Sequence, residues 1–243
     1  MINNLQRQTT IENPNAYKIL IFLTMVYMSI MLCNAILTNC YIGTDVLFVL
    51  GGTFTSPLVF ILDDIIAEIY GYKIARFVII TGYFAQTMIV IICLIVIQAP
   101  HPSFFTHQSS YDYVLGVSLL RINISGFIAY IFSNLMNSYI LTRWKFLVKG
   151  KYFWLRSLGS SIFSEILYSF IAILMMELSS IPLKEILKVA TISFSIKAFY
   201  SIVLAYPANI LVDYLKRVTG IDVYDFPKKF TPLKYSREIK EVI

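Results

Sequence analysis

Three carboxylates fall inside one apolar stretch of the chain, Asp63, Asp64 and Glu68, with Pro57 just upstream. At membrane depth an ionisable side chain is costly, and such residues mark binding sites, ion paths or proton relays. At 100° per residue, Asp64 and Glu68 share a helix face one turn apart, while Asp63 points elsewhere. Pro57 removes a backbone hydrogen bond, and the freed carbonyl is tolerated where it lines a cavity. A hydrated position near the membrane surface is the plainer reading of Asp64 and Glu68. Other apolar stretches carry Arg121 with Asn123, Asn134 and Asn137, then Glu165, then Lys197. Arg121 either snorkels outward or needs an anionic or carbonyl partner. Glu165 and Lys197 match by sign, as a ligand-binding pair or as a purely structural one. Asn134 and Asn137 fit either a site or helix–helix contact. Asn34, Thr38 and Asn39 add polar groups to the first stretch.

These donors and acceptors suit recognition rather than bond-breaking. The chain has no GxxxxGK[ST], GxSxG or HExxH, so no nucleotide hydrolysis, nucleophile elbow or zincin site is expected. His101 and His107, in His101-Pro102-Ser103-Phe104-Phe105-Thr106-His107, make an incomplete metal site. Cys33, Cys40 and Cys93 form no CxxC. No enzyme activity, metal or cofactor is expected.

The elements that must position these residues are membrane helices. Of the 243 residues, 58% are apolar and only 14% charged, and the mean hydropathy is +0.72. Soluble, disordered and nucleic-acid-binding classes do not have that composition. Six segments reach the length of about 20 apolar residues that a span needs: 17–37, 45–66, 74–97, 113–141, 157–176 and 186–215. The runs are continuous, unlike the alternating ten-residue strands of a barrel. Residues 1–16 are polar, and no signal-peptide cleavage pattern follows. An even span count puts both termini on one side. That side holds 16 of the 20 Lys and Arg, from Arg7 through Arg156 to the tail, against Lys184 and Lys188 opposite. The bias predicts cytoplasmic termini and explains the net charge of +6 without nucleic acid. The expected organisation is a cytoplasmic segment 1–16, one six-helix all-α membrane domain 17–217, and a cytoplasmic tail 218–243.

Pro57 and Asp64, seven apart, are followed by Glu68-Ile69-Tyr70-Gly71 and Ala75-Arg76. This stretch resembles the signature of the queuosine precursor transporter family. The likeness extends over about residues 17–217, through Arg121, Ser125, Phe127 and Ala129-Tyr130, then Arg156 and Ser161, then Lys197 and Pro207. Three positions depart from the pattern. Where the family carries Gln or Asn and then Asp in its fifth span, this chain has Glu165 and Tyr168. Where its sixth span often carries an acidic residue, this chain has Tyr200.

The resemblance implies inward transport of 7-deazaguanines such as preQ0 and preQ1, or of queuine, for tRNA queuosine, across a bacterial inner membrane. A 7-deazaguanine offers an N–H and an amine that a carboxylate accepts, which suits Asp64 or Glu165. Its carbonyl edge suits Lys197, Arg121 or an Asn, and its flat face suits Phe60, Tyr130, Tyr168 or Tyr200. The candidate ligand set is Asp64, Glu165, Lys197, Arg121, Asn34, Phe60, Asn134, Tyr168, Glu68 and Tyr200. The partners are a purine-like small molecule and the lipid bilayer, with a homodimer compatible. Three rivals remain open: a membrane subunit energised by a partner ATPase, a transporter of another heterocycle or vitamin, and an intramembrane enzyme.

Overall fold

The computed structural model describes residues 14–178 and 181–224. Arg7, most of the predicted N-terminal segment, and the tail from residue 225 lie outside the described residues. The chain runs α1 (Pro14–Leu37), β1 (Tyr41–Gly43), β2 (Phe48–Leu50), α2 (Gly52–Tyr70), α3 (Tyr72–Ile97), α4 (Gln108–Leu115), α5 (Val117–Leu147), α6 (Phe153–Glu177) and α7 (Leu183–Thr219).

Five stretches are long and apolar enough to cross a bilayer: α1, α3, α4 with α5, α6 and α7. The sixth bundle element is α2. It packs against α1, α3, α5, α6 and α7, and from Ala67 through Tyr70 every side chain is buried. That explains its sequence. A central helix shielded from lipid can carry Asp63, Asp64 and Glu68, whereas the outer helices turn apolar side chains such as Phe22, Phe84, Phe132 and Phe199 outward. The protein is an all-α, multi-pass membrane protein.

Three boundaries depart from the sequence reading. The second span does not begin at 45. Residues 41–50 instead form an antiparallel hairpin, Tyr41 opposite Leu50 and Gly43 opposite Phe48. The run looks apolar enough for helix, but Gly43 takes φ +138°, a conformation that glycine adopts freely. The fourth span is broken at Gly116 into the short, exposed α4 and the long α5. The other helices begin two to four residues earlier than their apolar cores, and α6 and α7 also end later, because polar end residues continue the turns.

Two glycines set the geometry around α2. At its start, a Cβ on Gly52 would run into Thr38 Oγ1 and lie 3.0 Å from Asn34 Oδ1, so glycine lets α2 close onto α1. At its end, Gly71 has φ +83° and joins α2 directly to α3. Pro57 sits within α2 and deprives the Thr53 carbonyl of its helical donor.

Candidate functional site

The buried polar groups form three layers along the bundle, from the hairpin end to the end where α2 meets α3.

The first layer is a cleft between α1, α2, α3, α5 and α6. Asn34, Thr38, Ser56, Phe60, Gln86 and Tyr168 give its wall most of its polar and aromatic character, joined by Tyr83 and Tyr130. Thr55 Oγ1 donates to Asn34 Oδ1 at 2.7 Å. Gln86 Nε2 donates to Asn123 Oδ1 at 3.1 Å, and Asn123 Nδ2 donates to Thr87 Oγ1 at 3.1 Å. The aromatic rings meet edge to face, Phe60 to Tyr168 at 6.0 Å and Tyr130 to Tyr168 at 6.4 Å between centroids. The cavity is about 20 Å³, room for one water. Any bicyclic ligand needs the bundle to open, so this is a closed state.

The second layer lies beneath it. Asp64 accepts from Asn137 Nδ2 at 2.5 Å, from Ser161 Oγ at 3.2 Å and from Ser157 Oγ. Those serines belong to a row on α6, Ser157, Ser160, Ser161 and Ser164, spaced to share one face. Small side chains there let α5 approach closely. Glu165 Oε1 accepts from Ser201 Oγ at 2.8 Å, and among the described residues its Oε2 has no partner. Lys197 Nζ lies 4.4 Å from the Tyr168 ring centroid and donates to Ser169 Oγ at 3.1 Å. Glu165 and Lys197 are therefore electrostatic neighbours rather than a contact ion pair. Among the described residues, Ser56, Ser133, Ser164 and both amide atoms of Asn134 are likewise buried without a partner of good geometry. Native interiors leave few such groups, and a cluster of them marks a place for a ligand or water.

The third layer is an ion cage around Glu68. Arg156 grips the carboxylate with both terminal nitrogens, at 2.8 and 3.0 Å. Lys216 Nζ lies at 2.6 Å and Lys145 Nζ at 3.5 Å. Lys145 also binds Asp222 at 2.5 Å and the carbonyls of Glu68 and Val223. The Val223 N–H donates to the Ile69 carbonyl at 3.2 Å. The cage thus pins α2, α5, α6, α7 and the segment after α7 at one point. Glu68 is fully buried, which replaces the hydrated-interface reading with an enclosed one.

At the opposite end the hairpin is tied to α6 and α7. Tyr41 OH donates to Glu177 Oε1 at 3.0 Å, and Lys188 Nζ donates to the Val46 carbonyl at 2.6 Å. Partial burial, then the Glu177 charge, pushes the Tyr41 phenol up to about 12.

Of the residues expected from sequence, the structure gathers Asn34, Phe60 and Tyr168 at the cleft. Asp64, Asn134, Glu165 and Lys197 are buried in the polar layer beneath. It separates three others. Glu68 is held in the cage, Arg121 is exposed at the hairpin end of α5, and half-buried Tyr200 meets Phe54 edge-on at 6.3 Å. The sequence reading missed Gln86 and Tyr83 on α3, and Tyr27 and Lys145 as interior groups; it set Asp63 inside the second span but facing away from Asp64, and named Arg156 only within the charge bias and the resemblance. A lone Gln in an apolar span was an available signal for Gln86. Nothing local distinguishes Lys145 from surface cations.

A model of the family described as "Putative vitamin uptake transporter" matches residues 50–212, from the end of β2 through most of α7. No curated protein and no solved structure matches the chain. The family is one of transporters, and its match contains the α2 carboxylates, the α6 serine row and Lys197. With more than half of the chain covered, this multi-pass membrane protein belongs to the vitamin uptake transporter family.

Proposed function

We propose that the protein imports 7-deazaguanines, preQ0 or preQ1, or queuine, across the bacterial inner membrane for tRNA queuosine. The observation that carries this reading is the cleft, where amide side chains and aromatic faces meet above buried carboxylates. Asn34 and Gln86 supply paired donor and acceptor groups for a heterocycle edge. Phe60, Tyr130 and Tyr168 supply faces for its plane. Glu165, with one oxygen unpartnered, suits the amine and ring N–H of the ligand, and Lys197 suits its carbonyl. Asp64 and Asn134 hold the layer beneath. Arg121, Glu68 and Tyr200 act away from the ligand in this reading, through the two ends of the bundle.

Transport is by alternating access. The hairpin is one gate, latched by Tyr41 and Glu177, and the Glu68 cage is the other. Each must open while the other holds. The cage end carries Lys18, Lys73, Arg76, Arg143, Lys149 and Lys151 besides its own cations, which supports placing it and both termini in the cytoplasm. The cleft then faces the periplasm when the hairpin lifts.

The family's description favours a second reading, a vitamin-like heterocycle handled by the same cleft. One experiment separates them. A bacterium unable to make queuosine precursors and lacking its own importer expresses this protein and receives limiting preQ0, preQ1 or queuine, with the processing enzymes for each. Restored tRNA queuosine supports the first reading and identifies the ligand. No restoration with the protein present in the membrane overturns it.

A further inference from the structure

We propose that Asp63 is a proton-binding site that couples transport to the proton gradient, loaded through the paired hydroxyls of Tyr130 and Tyr27. The proposal rests on the transport activity of the family, and its uptake arm rests on the 7-deazaguanine reading.

The two adjacent aspartates differ in surroundings. Asp64 is saturated by three donors. Asp63 is fully buried, and among the described residues its one hydrogen bond is from Ser138 Oγ at 3.4 Å and its Oδ1 has no partner. Among the described residues no Lys, Arg or His lies within ion-pair distance of it. Such a carboxylate, charged and uncompensated inside a membrane bundle, is strongly disfavoured, and the neutral acid removes the conflict.

A path leads to it. Tyr27 on α1 and Tyr130 on α5 share a hydroxyl–hydroxyl hydrogen bond. Tyr130 lines the cleft, and both phenols lie within the field of Asp63. Asn134, fully buried, sits beside the Tyr27 hydroxyl with neither amide atom in good hydrogen-bond geometry. It is a spare donor and acceptor at the junction. A proton arriving on Tyr130 oxygen displaces that phenol's own proton to Tyr27, and a bridging water carries the Tyr27 proton on to the Asp63 carboxylate, which neither phenol touches in the closed bundle. The net transfer is one proton from cleft water to one carboxylate, with both phenols unchanged. Ser138, two turns along α5 toward the cage, faces Asp63 from the exit side.

The remaining titratable neighbours add no cation. Asp64 stands next to Asp63 on α2, and Tyr83 of α3 and Tyr168 of α6 pack on Tyr130. Glu165 of α6 acts on Asp64, and Lys197 of α7 is directed to Ser169 and Tyr168. The closed bundle therefore favours neutral Asp63, so closure around substrate requires the proton, and the two cross together.

Two measurements test this. Infrared difference spectra of the purified protein between acidic and alkaline buffer need no substrate. The expected result is a carboxylic-acid C=O band that Asp63→Asn removes and Asp64→Asn retains. A band that survives Asp63→Asn, or no band, overturns the assignment. In proteoliposomes, labelled preQ0 uptake by the wild type rises with an inside-alkaline gradient. Asp63→Asn brings uptake with and without the gradient to parity, and Tyr27→Phe slows only the gradient-driven part. Gradient-driven accumulation surviving in Asp63→Asn, or wild-type uptake indifferent to the gradient, overturns the coupling. If the infrared assignment holds and preQ0 does not cross, the proton site stands and the substrate reading fails.

Discussion

Replacing Glu68 by Gln leaves Arg156, Lys145 and Lys216 gathered in a buried space with Asp222 as their remaining carboxylate. Arg156 and Lys145 are each 2% exposed and Glu68 is 0% exposed, so solvent does not compensate the loss. Removing one partner of a buried ion pair costs about 3–5 kcal/mol, because the other charge stays behind. An exposed pair costs only about 0–1 kcal/mol. At about 2–4 °C per kcal/mol for a chain of this size, the expected fall in Tm is about 6–20 °C. The companion change Arg156→Gln removes the bidentate partner, and the double variant falls by much less than the sum, since the two share one interaction. Thermal unfolding in detergent, followed by Trp144 and Trp154 fluorescence near the cage, measures all three. A Glu68→Gln Tm within about 2 °C of wild type, the shift of a surface pair, would refute the buried-cage reasoning. Strict additivity in the double variant would refute the pairing.

Gly52→Ala forces a Cβ onto Thr38 and Asn34, so uptake falls while membrane insertion continues, and Thr38→Ala in the same chain restores part of it. Tyr41→Phe leaves the Glu177 carboxylate without its donor, and labelling of a cysteine placed at Asn34 by a membrane-impermeant maleimide rises. A labelling rate equal to that of the parent would count against the latch. The Tyr41 phenol is raised in the folded protein, so its contribution is complete below about pH 10 and is lost only as pH climbs toward 12. The same labelling assay in the Tyr41-intact protein is expected to stay flat from pH 6 to pH 9. Asp64→Asn, Glu165→Gln and Lys197→Ala each abolish uptake with normal membrane levels, and normal transport in all three would show the polar layer to be idle.

Five of the six predicted spans were legible because each long apolar run is a physical requirement of the bilayer, while the sixth, α2, is a buried bundle helix that falls short of that length and composition. The motif around Pro57 and Asp64 was legible because polar residues stand out against such runs. The hairpin was not. Its residues include an apolar run that a helix could use, and the chain instead reverses at Thr44–Leu47, beside Gly43 with its φ of +138°. Asp63 was set aside because helical geometry alone turns it away from Asp64. In the folded bundle every face of α2 is internal, so that face meets Tyr27 and Tyr130 instead of lipid. Arg156 and Lys145 sit among loop cations in the sequence, and only the tertiary fold brings them to Glu68.

The most direct test of the account is labelled preQ0 and preQ1 uptake into proteoliposomes by the wild type and by Asn34→Leu, Gln86→Leu and Tyr168→Ala. These changes strip the cleft of its polar edge or its aromatic face without touching the cage. The account predicts uptake competed by unlabelled 7-deazaguanine and lost in all three variants at equal protein level. Uptake that proceeds equally in the variants would place the substrate path somewhere other than this cleft.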